Sequence, residues 1–257
     1  MVVEAFPRVR LAGTGFDPVT EEEVVAQVRD ALAGGRGGRV VTPNVDILRQ
    51  ASTDARVRAY LEAADLVVAD GMPLVWASRL SGTPLPERVA GSSLIWSLSA
   101  GLARDGRSIF IVGGTPGHPS GAERAALRLA ADFPGLRVAG TLCPPFGFEH
   151  DPSAYAGLVH DVVSAAPDLV FVGLGFPKQE QVIDRLRDHL PHTWFLGCGA
   201  AVNFVAGDVD RAPRWMQRTG LEWAHRLTTE PGRLASRYLK HDAPYALKLL
   251  AQSTARR

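Results

Sequence analysis

The sequence has few cysteines and no long apolar run. Cys143 and Cys198 are its two cysteines in 257 residues, which excludes a disulfide-stapled module and a four-cysteine zinc site and suits a reducing compartment. No uninterrupted apolar stretch reaches the roughly 18 residues that a membrane-spanning helix needs. The first residues, MVVEAFPRVR, carry no secretory signal pattern. We therefore expect a cytoplasmic chain without a spanning segment.

Several motifs of nucleotide and hydrolytic enzymes are also missing. The sequence contains no GxxxxGK[ST] phosphate loop, no GxGxxG fingerprint, no HExxH and no GxSxG elbow. Its seven histidines are scattered, and none has metal-ligand spacing with Cys, Asp or Glu. These absences argue against a nicotinamide oxidoreductase or a methyltransferase. We expect no metal and no resident cofactor.

What is present is the pattern of an α/β protein. Hydrophobic residues make up 46% of the chain and charged residues 21%, which excludes a disordered polyelectrolyte. Short apolar strand patterns, clearest at 108–112, alternate with helical patterns, one of which opens with a capping box at Ser120 and Glu123. This order predicts a Rossmann-like, open, mostly parallel sheet flanked by helices. Ligands of such sheets bind outside the carboxyl ends of the strands.

Charge is distributed unevenly along the chain. Residues 211–257 hold ten Lys and Arg against three acids, a net charge of +7, whereas residues 1–210 carry a net charge of −6. Strand patterns stop near residue 210, so we predict an α/β catalytic core over 1–210 and a basic helical appendage over 211–257, divided by three prolines. Aromatic residues interleave with its basic ones, which suits an anionic membrane surface. No helix-turn-helix, RRM or OB pattern accompanies them, so we expect no nucleic acid partner.

Two charged residues stand where a ligand would bind. Asp70 follows an apolar strand and precedes Gly71, so its carboxylate is a candidate general base or, equally, an N-cap of the next helix. Arg88 lies between two helical patterns, where it is a candidate bidentate phosphate ligand or an ordinary surface arginine.

Polar and glycine residues follow other strands. Thr42 and Asn44 offer a hydroxyl and an amide to a ligand or cap the next helix. Gly113 and Gly114 lie in a glycine-rich turn whose N–H groups could meet a diphosphate, and a tight strand-to-helix turn explains them as well. Gln179 sits at a helix start after a glycine-rich strand end, where capping and anion binding are both open.

Read in order, these strings resemble the WecG/TagA/CpsF family of bacterial glycosyltransferases (glycosyltransferase family 26). The resemblance covers roughly residues 10 to 240. Its matching stretches are Thr42–Asn44, Ala64–Trp76, Glu87–Gly91, Phe110–Gly114, Pro144–Gly147, Val172–Glu180, Gly207–Trp215, Gly220–Trp223 and the residues Arg226, Leu227, Glu230, Pro231, Arg233 and Leu234.

The resemblance implies a metal-independent, inverting transfer of an N-acetylmannosamine-type sugar from a UDP-sugar to a polyprenyl-diphosphate-linked saccharide, in cell-wall or exopolysaccharide synthesis. It implies that Asp70 is the base, that Thr42, Arg88 and Gln179 lie around the sugar and the diphosphate, and that basic residues of the C-terminal appendage complete the site. Taking the strand-end residues and the resemblance together, we predict Asp70 and Arg88 as catalytic residues. The predicted substrate-binding residues are Thr42, Asn44, Gly113, Gly114, Gln179, Asn203, Arg226, Arg233 and Arg237. It places the enzyme peripherally on the inner face of the cell membrane.

One position departs from the family pattern. Asn203 stands where the family usually has an acid, which keeps a hydrogen-bond acceptor, removes a charge and adds a donor. Self-association through exposed apolar surface of the appendage stays open. The rival interpretation is a non-catalytic nucleotide- or membrane-binding Rossmann-like protein, which would leave Asp70, Arg88 and Gln179 without a role.

Overall fold

The computed structural model describes residues 7–229 and 231–254, without the side chains of residues 214, 218 and 233. Its strands are β1 Val9–Leu11, β2 Thr14–Phe16, β3 Gly38–Val41, β4 Leu66–Val67, β5 Ser108–Gly113, β6 Arg137–Leu142, β7 Leu169–Gly173 and β8 Trp194–Gly197. Its α-helices are α1 Glu21–Ala33, α2 Val45–Thr53, α3 Ala55–Glu62, α4 Met72–Leu80, α5 Gly91–Arg104, α6 Gly121–Asp132, α7 Pro152–Ala165, α8 Lys178–Arg187, α9 Ala201–Ala206, α10 Arg214–Thr219, α11 Glu222–Thr229, α12 Pro231–Arg237 and α13 Ala243–Thr254. A 3-10 turn spans Phe148–His150 and a π-helical turn spans Tyr238–Asp242.

The chain divides into two compact units. The larger holds residues 21–41 and 91–210, and the smaller holds residues 1–20, 42–90 and 211–257. The smaller unit is therefore assembled from three separate stretches of sequence.

The larger unit is built on a parallel sheet. Five of its strands lie in the order β3-β8-β7-β5-β6, and each neighbouring pair is parallel. Phe110, Val112, Val170 and Val172 alternate along β5 and β7 and pack with apolar residues of α7 and α8. The intervening strand residues are also buried, and α5, α6 and α9 contact the strands as well, so both faces of the sheet are covered. The predicted α/β class with a parallel sheet is confirmed.

The smaller unit packs helices around a short hairpin and β4. The antiparallel hairpin β1–β2 contacts α4 through β1 and contacts β4 and α3 through β2. Helix α13 packs against α4 and α2, and buries Leu249 to 3% exposure. Residues 211–254 thus share a core with residues 42–90.

The prolines of this segment act differently from one another. Pro231 is the first residue of α12, a position that proline favours, and Pro213 directly precedes α10. Pro244, predicted to divide the segment, instead lies inside a helical run from 231 to 254. Because Pro244 has no N–H to donate, the preceding π turn Tyr238–Asp242, closed by the bond from Ala243 N–H to Tyr238 O, accommodates it. None of the helices within the described ranges has the length and apolarity to cross a membrane.

Candidate active site

Two backbone hydrogen bonds fix the position of Asp70 in the smaller unit. The Asp70 N–H donates to Pro43 O at 3.0 Å, and Val89 N–H donates to Ala69 O at 3.0 Å. The chain directly after β4 is therefore bonded to the segment before α2 on one side and to the segment after Arg88 on the other. Residues 42–44, 70 and 88, which are far apart in sequence, are brought together.

The Asp70 side chain does not cap α4. That helix has Gly71 as its N-cap and no side-chain capping bond, so the capping interpretation does not hold. The Asp70 side chain is 29% exposed. Its pKa is raised from 3.8 to about 6, chiefly by burial and also by the Glu222 carboxylate, while the arginines Arg88, Arg226 and Arg211 oppose the rise.

Arg88 lies between two carboxylates. Its Nη1 is 2.9 Å from Glu222 Oε2 and 3.8 Å from Asp70 Oδ1, and its side chain is 15% exposed. The other oxygen of Glu222, Oε1, lies 3.3 Å from Arg211 Nε. Arg88 is thus a largely buried cation beside Asp70 rather than an ordinary surface arginine.

Sequence reasoning did not single out Glu222 or Arg211. Glu222 is the first residue of α11 and is 8% exposed. Its contact with Arg88 joins positions 134 residues apart, which no local pattern reveals. The available signal was that Glu222 lies in the string Gly220–Trp223 and Arg211 in the string Gly207–Trp215, both of which carry the family resemblance.

Gly220 lets the turn before α11 lie close to Met72 of α4. It ends α10 in the left-handed conformation with φ of 78°, which glycine adopts without strain. A Cβ built there would lie 2.5 Å from Met72 Cγ. A larger residue at 220 would therefore force this turn or the Met72 side chain to move.

The remaining predicted residues of the smaller unit have different surroundings. Thr42 is buried, and Asn44 is the N-cap of α2, accepting a hydrogen bond from Ile47 N–H at 3.0 Å, as the capping interpretation predicted. Arg226, on α11, lowers the pKa of Asp70. Arg233 belongs to α12, but its side chain lies outside the described residues.

Arg237 is placed among acids of the smaller unit. Its Nε lies 3.4 Å from Asp46 Oδ2 and 3.3 Å from Asp242 Oδ2. Asp46 also receives a bond from Arg49 at 2.7 Å. These contacts join α12 and the π turn to α2, so Arg237 holds this unit together. Its predicted role in substrate binding stays a prediction.

In the larger unit, the glycine-rich turn after β5 is tightly packed. Gly113 has φ of 124°, and a Cβ there would lie 2.5 Å from Gly173 O. Gly114 has φ of 83°, and its Cβ would lie 2.6 Å from Ala122 N at the start of α6. The predicted capping box of Ser120 and Glu123 is present at that start. Close backbone packing accounts for both glycines, and their contact with a diphosphate stays a prediction.

The Gln179 side chain is held by hydrogen bonds within the larger unit. It is 5% exposed, its Oε1 accepts from Gly199 N–H at 3.0 Å, and its Nε2 donates to Glu180 Oε1 at 3.2 Å. Burial raises the pKa of Glu180 to about 7, and Arg39 opposes the rise. Asn203, on α9, buries its Oδ1, which accepts no hydrogen bond from the described residues. Substrate contacts of Gln179 and Asn203 stay predictions.

Metal-binding side chains are not clustered in the described part of the chain. Within those ranges, no group of three or more His, Cys, Asp or Glu side chains is arranged to hold a metal ion. The charges around Asp70 are instead the guanidinium groups and the Glu222 carboxylate described above.

Comparison with known proteins gives one consistent result. The model of the glycosyl transferase WecG/TagA/CpsF family matches residues 9–257. A protein of Bacillus spizizenii named N-acetylglucosaminyldiphosphoundecaprenol N-acetyl-beta-D-mannosaminyltransferase is 34% identical over 202 residues, which are 79% of this chain and 75% of that protein. A protein of the same name from Bacillus subtilis strain 168 is 30% identical over 197 residues, covering 77% and 73% of the two chains.

Proposed function

Because the chain belongs to the WecG/TagA/CpsF family of glycosyltransferases, we propose that it transfers an N-acetylmannosamine-type sugar from a UDP-sugar to an undecaprenyl-diphosphate-linked N-acetylglucosamine acceptor. The names of the two Bacillus relatives support this acceptor and this sugar. The product is a lipid-linked disaccharide for a cell-envelope polysaccharide. The observation that carries the mechanism is the setting of Asp70. This carboxylate has a raised pKa, caps no helix, and has its Oδ1 3.8 Å from Nη1 of the largely buried Arg88.

Asp70 is the general base of this proposal. A carboxylate whose pKa is about 6 is ionised for the most part at neutral pH, yet it takes a proton more readily than an ordinary aspartate. It accepts the proton of the acceptor hydroxyl as that oxygen attacks the anomeric carbon of the donor. A positioned base typically contributes about 10²–10⁴-fold in rate.

The bond to UDP breaks in the same displacement. The acceptor oxygen forms the new bond to the anomeric carbon on the side opposite the leaving diphosphate, so the configuration inverts. The transition state resembles an oxocarbenium ion, and negative charge grows on the departing UDP. Arg88 is the ligand we propose for that diphosphate, aided by Arg226 and Arg233. One preorganised donor of this kind is worth roughly 3–4 kcal/mol, which supports a reaction that needs no metal.

The C-terminal segment is the proposed membrane contact. Residues 211–257 carry a net charge of +7, and five of the described large apolar side chains there are exposed: Trp215, Leu221, Trp223, Leu239 and Leu247. Each basic residue near an anionic surface adds about 1 kcal/mol of attraction. We propose that the enzyme binds peripherally to the inner face of the membrane, where the lipid-linked acceptor is held.

One experiment tests donor, acceptor and metal together. The protein is incubated with a panel of UDP-sugars and a synthetic prenyl-diphosphate-linked N-acetylglucosamine, with and without EDTA. We expect UDP-N-acetylmannosamine to give a disaccharide and chelator to leave the rate unchanged. No product with any donor would overturn the proposed reaction, and loss of product with EDTA would overturn the metal-independent mechanism.

A second experiment tests the membrane contact. Co-sedimentation with vesicles that contain about one third anionic lipid should exceed sedimentation with neutral vesicles, and salt should weaken it because the attraction is screened. Equal binding to both vesicle types would contradict an electrostatic contact.

A further inference from the structure

The two contacts of Arg88 are unequal. Arg88 Nη1 lies 2.9 Å from Glu222 Oε2, within hydrogen-bond distance, whereas its distance to Asp70 Oδ1 is 3.8 Å. Glu222 therefore holds the guanidinium more closely than Asp70 does. Both contacts use the same nitrogen, and a guanidinium carries further N–H groups with which a diphosphate can bond.

The position of Glu222 is fixed by its surroundings. Gly220 packs on Met72, and Leu221 N–H bonds to Met216 O at 2.8 Å, which sets the start of α11. The Glu222 side chain is 11% exposed. A carboxylate this enclosed needs partners, and Arg88 and Arg211 each bond to one of its oxygens.

The charges that act on Asp70 come from three parts of the smaller unit. They are Arg88 before α5, Arg211 before α10, and Glu222 and Arg226 on α11. Three of these four groups are cations and Glu222 is the anion. An aspartate that pairs directly with an arginine has a lowered pKa and is a weak base. A site that needs Arg88 for the diphosphate and Asp70 as a base must keep the two from pairing closely.

We propose that Glu222 is a positioning residue: it draws Arg88 away from Asp70 and so preserves Asp70 as a base. This inference rests on the proposed function, because it concerns the base of that reaction. Glu222 itself touches no reacting atom, and its effect reaches the reaction through Arg88 and through its charge.

The test is the pH profile of kcat/KM for the UDP-sugar and prenyl-diphosphate acceptor, measured in wild type and in Glu222→Gln. The substitution keeps the shape of the side chain and removes its charge. We expect the acidic midpoint to move to lower pH by about one unit, as for a carboxylate that gains an arginine partner, and the maximal rate to fall. Glu222→Asp, which restores the charge, should return the midpoint toward that of wild type.

A matched control uses another ion-paired carboxylate of the same unit. Asp17 is bonded to Arg8 Nε at 3.0 Å and to Val67 N–H at 2.7 Å. Asp17→Asn should leave the midpoint in place, because Asp17 is not among the groups that act on Asp70. A midpoint that Glu222→Gln does not lower, or that Asp17→Asn lowers equally, overturns the inference.

A readout without turnover separates this inference from the proposed reaction. The stability of the protein with Asp70 is compared with that of the Asp70→Asn variant at several pH values, and the pH dependence of the difference reports the titration of Asp70. The same comparison is then made in proteins that also carry Glu222→Gln. If wild type transfers no sugar, the proposed function fails, and this readout still tests Glu222. If Glu222→Gln does not fold, Arg211→Gln takes its place: it should raise the midpoint, because Arg211 itself lowers the pKa of Asp70 and because Glu222 then keeps only Arg88 of these two partners. An unchanged or lowered midpoint there contradicts the inference.

Discussion

Replacing Asp70 by asparagine should make the protein less active and more stable. The pKa of Asp70 is raised from 3.8 to about 6, mainly by burial, so the folded protein bears a cost whenever this side chain is ionised. A rise of two units corresponds to about 3 kcal/mol. Because the side chain is 29% exposed to solvent, we expect a gain of about 2–3 kcal/mol for Asp70→Asn at pH 7.5.

The sign of this effect depends on pH in a defined way. A carboxyl group with a raised folded-state pKa favours folding when protonated, and this contribution is lost as pH rises from about 4 to about 6. The stability difference between Asp70→Asn and wild type should therefore be small at pH 4 and reach its full value above pH 6.

The assay is urea unfolding at several pH values, together with the rate of UDP release. We expect turnover to fall by about 10²–10⁴-fold. Glu62→Gln, an exposed carboxylate of α3, is the control and should change neither quantity. A stability difference that is absent at pH 7.5, or that does not vary with pH, would refute the argument from burial, and unchanged turnover would remove Asp70 from the mechanism.

Three further outcomes follow from the structure. Arg88→Ala should lower turnover at least tenfold, and Arg88→Lys should recover part of the lost turnover. Arg79→Ala, on the exposed end of α4, is the control and should have no effect. Equal rates for Arg88→Ala and wild type would remove Arg88 from the mechanism. Leu249→Ala should cost about 2–4 kcal/mol in urea unfolding because Leu249 is 3% exposed, and Leu247→Ala on the same helix, 70% exposed, should cost little; similar losses would argue against packing of α13. Gly113→Ala should destabilise the protein strongly because its Cβ would lie 2.5 Å from Gly173 O, whereas Gly157→Ala, with open space around it in α7, should stabilise by about 0.5–1 kcal/mol; thermal unfolding would distinguish them.

Local signals predicted the regular elements well. Asp54 precedes a helical pattern that it is able to cap, and its side chain accepts from Arg56 N–H and Val57 N–H at the start of α3. The spacing of apolar residues predicts helices over 152–165 and 72–80, and the structure has helices with those same bounds. Caps, prolines and apolar spacing act within a few residues, so a sequence shows them directly.

Elements with weak local signals were missed. The hairpin β1–β2 has strands of only three residues. Its turn uses positive φ at Ala12 as well as Gly13, and an alanine in a sequence does not predict a positive φ. The apolar run over 66–69 predicts a four-residue strand, but the strand is confined to Leu66–Val67. The short helix α9, Ala201–Ala206, was also not predicted.

The candidate site shows the same division. Asp70 was singled out because a charged residue after an apolar strand is visible in sequence, Arg88 was singled out between two helical patterns, and the resemblance implied roles for both. Glu222 was missed because its importance lies in which arginines it holds, and those contacts depend on the folding of distant segments. The sequence left helix capping open for both Asn44 and Asp70. In the structure Asn44 accepts a capping hydrogen bond from Ile47 N–H, whereas α4 has no side-chain capping bond from Asp70.

The three-part construction of the smaller unit has a consequence for how the enzyme is made. Arg88 and Glu222 are 134 residues apart, so at about 5–20 residues per second the ribosome delivers the second roughly 7–27 s after the first. A chain interrupted in that interval contains Asp70 and Arg88 but lacks Glu222 and the later helices of the smaller unit. Under the proposed mechanism, Arg88 would pair with Asp70 in unfinished or clipped polypeptides, and we expect them to transfer sugar more slowly than a chain that includes Glu222 and the helices after it.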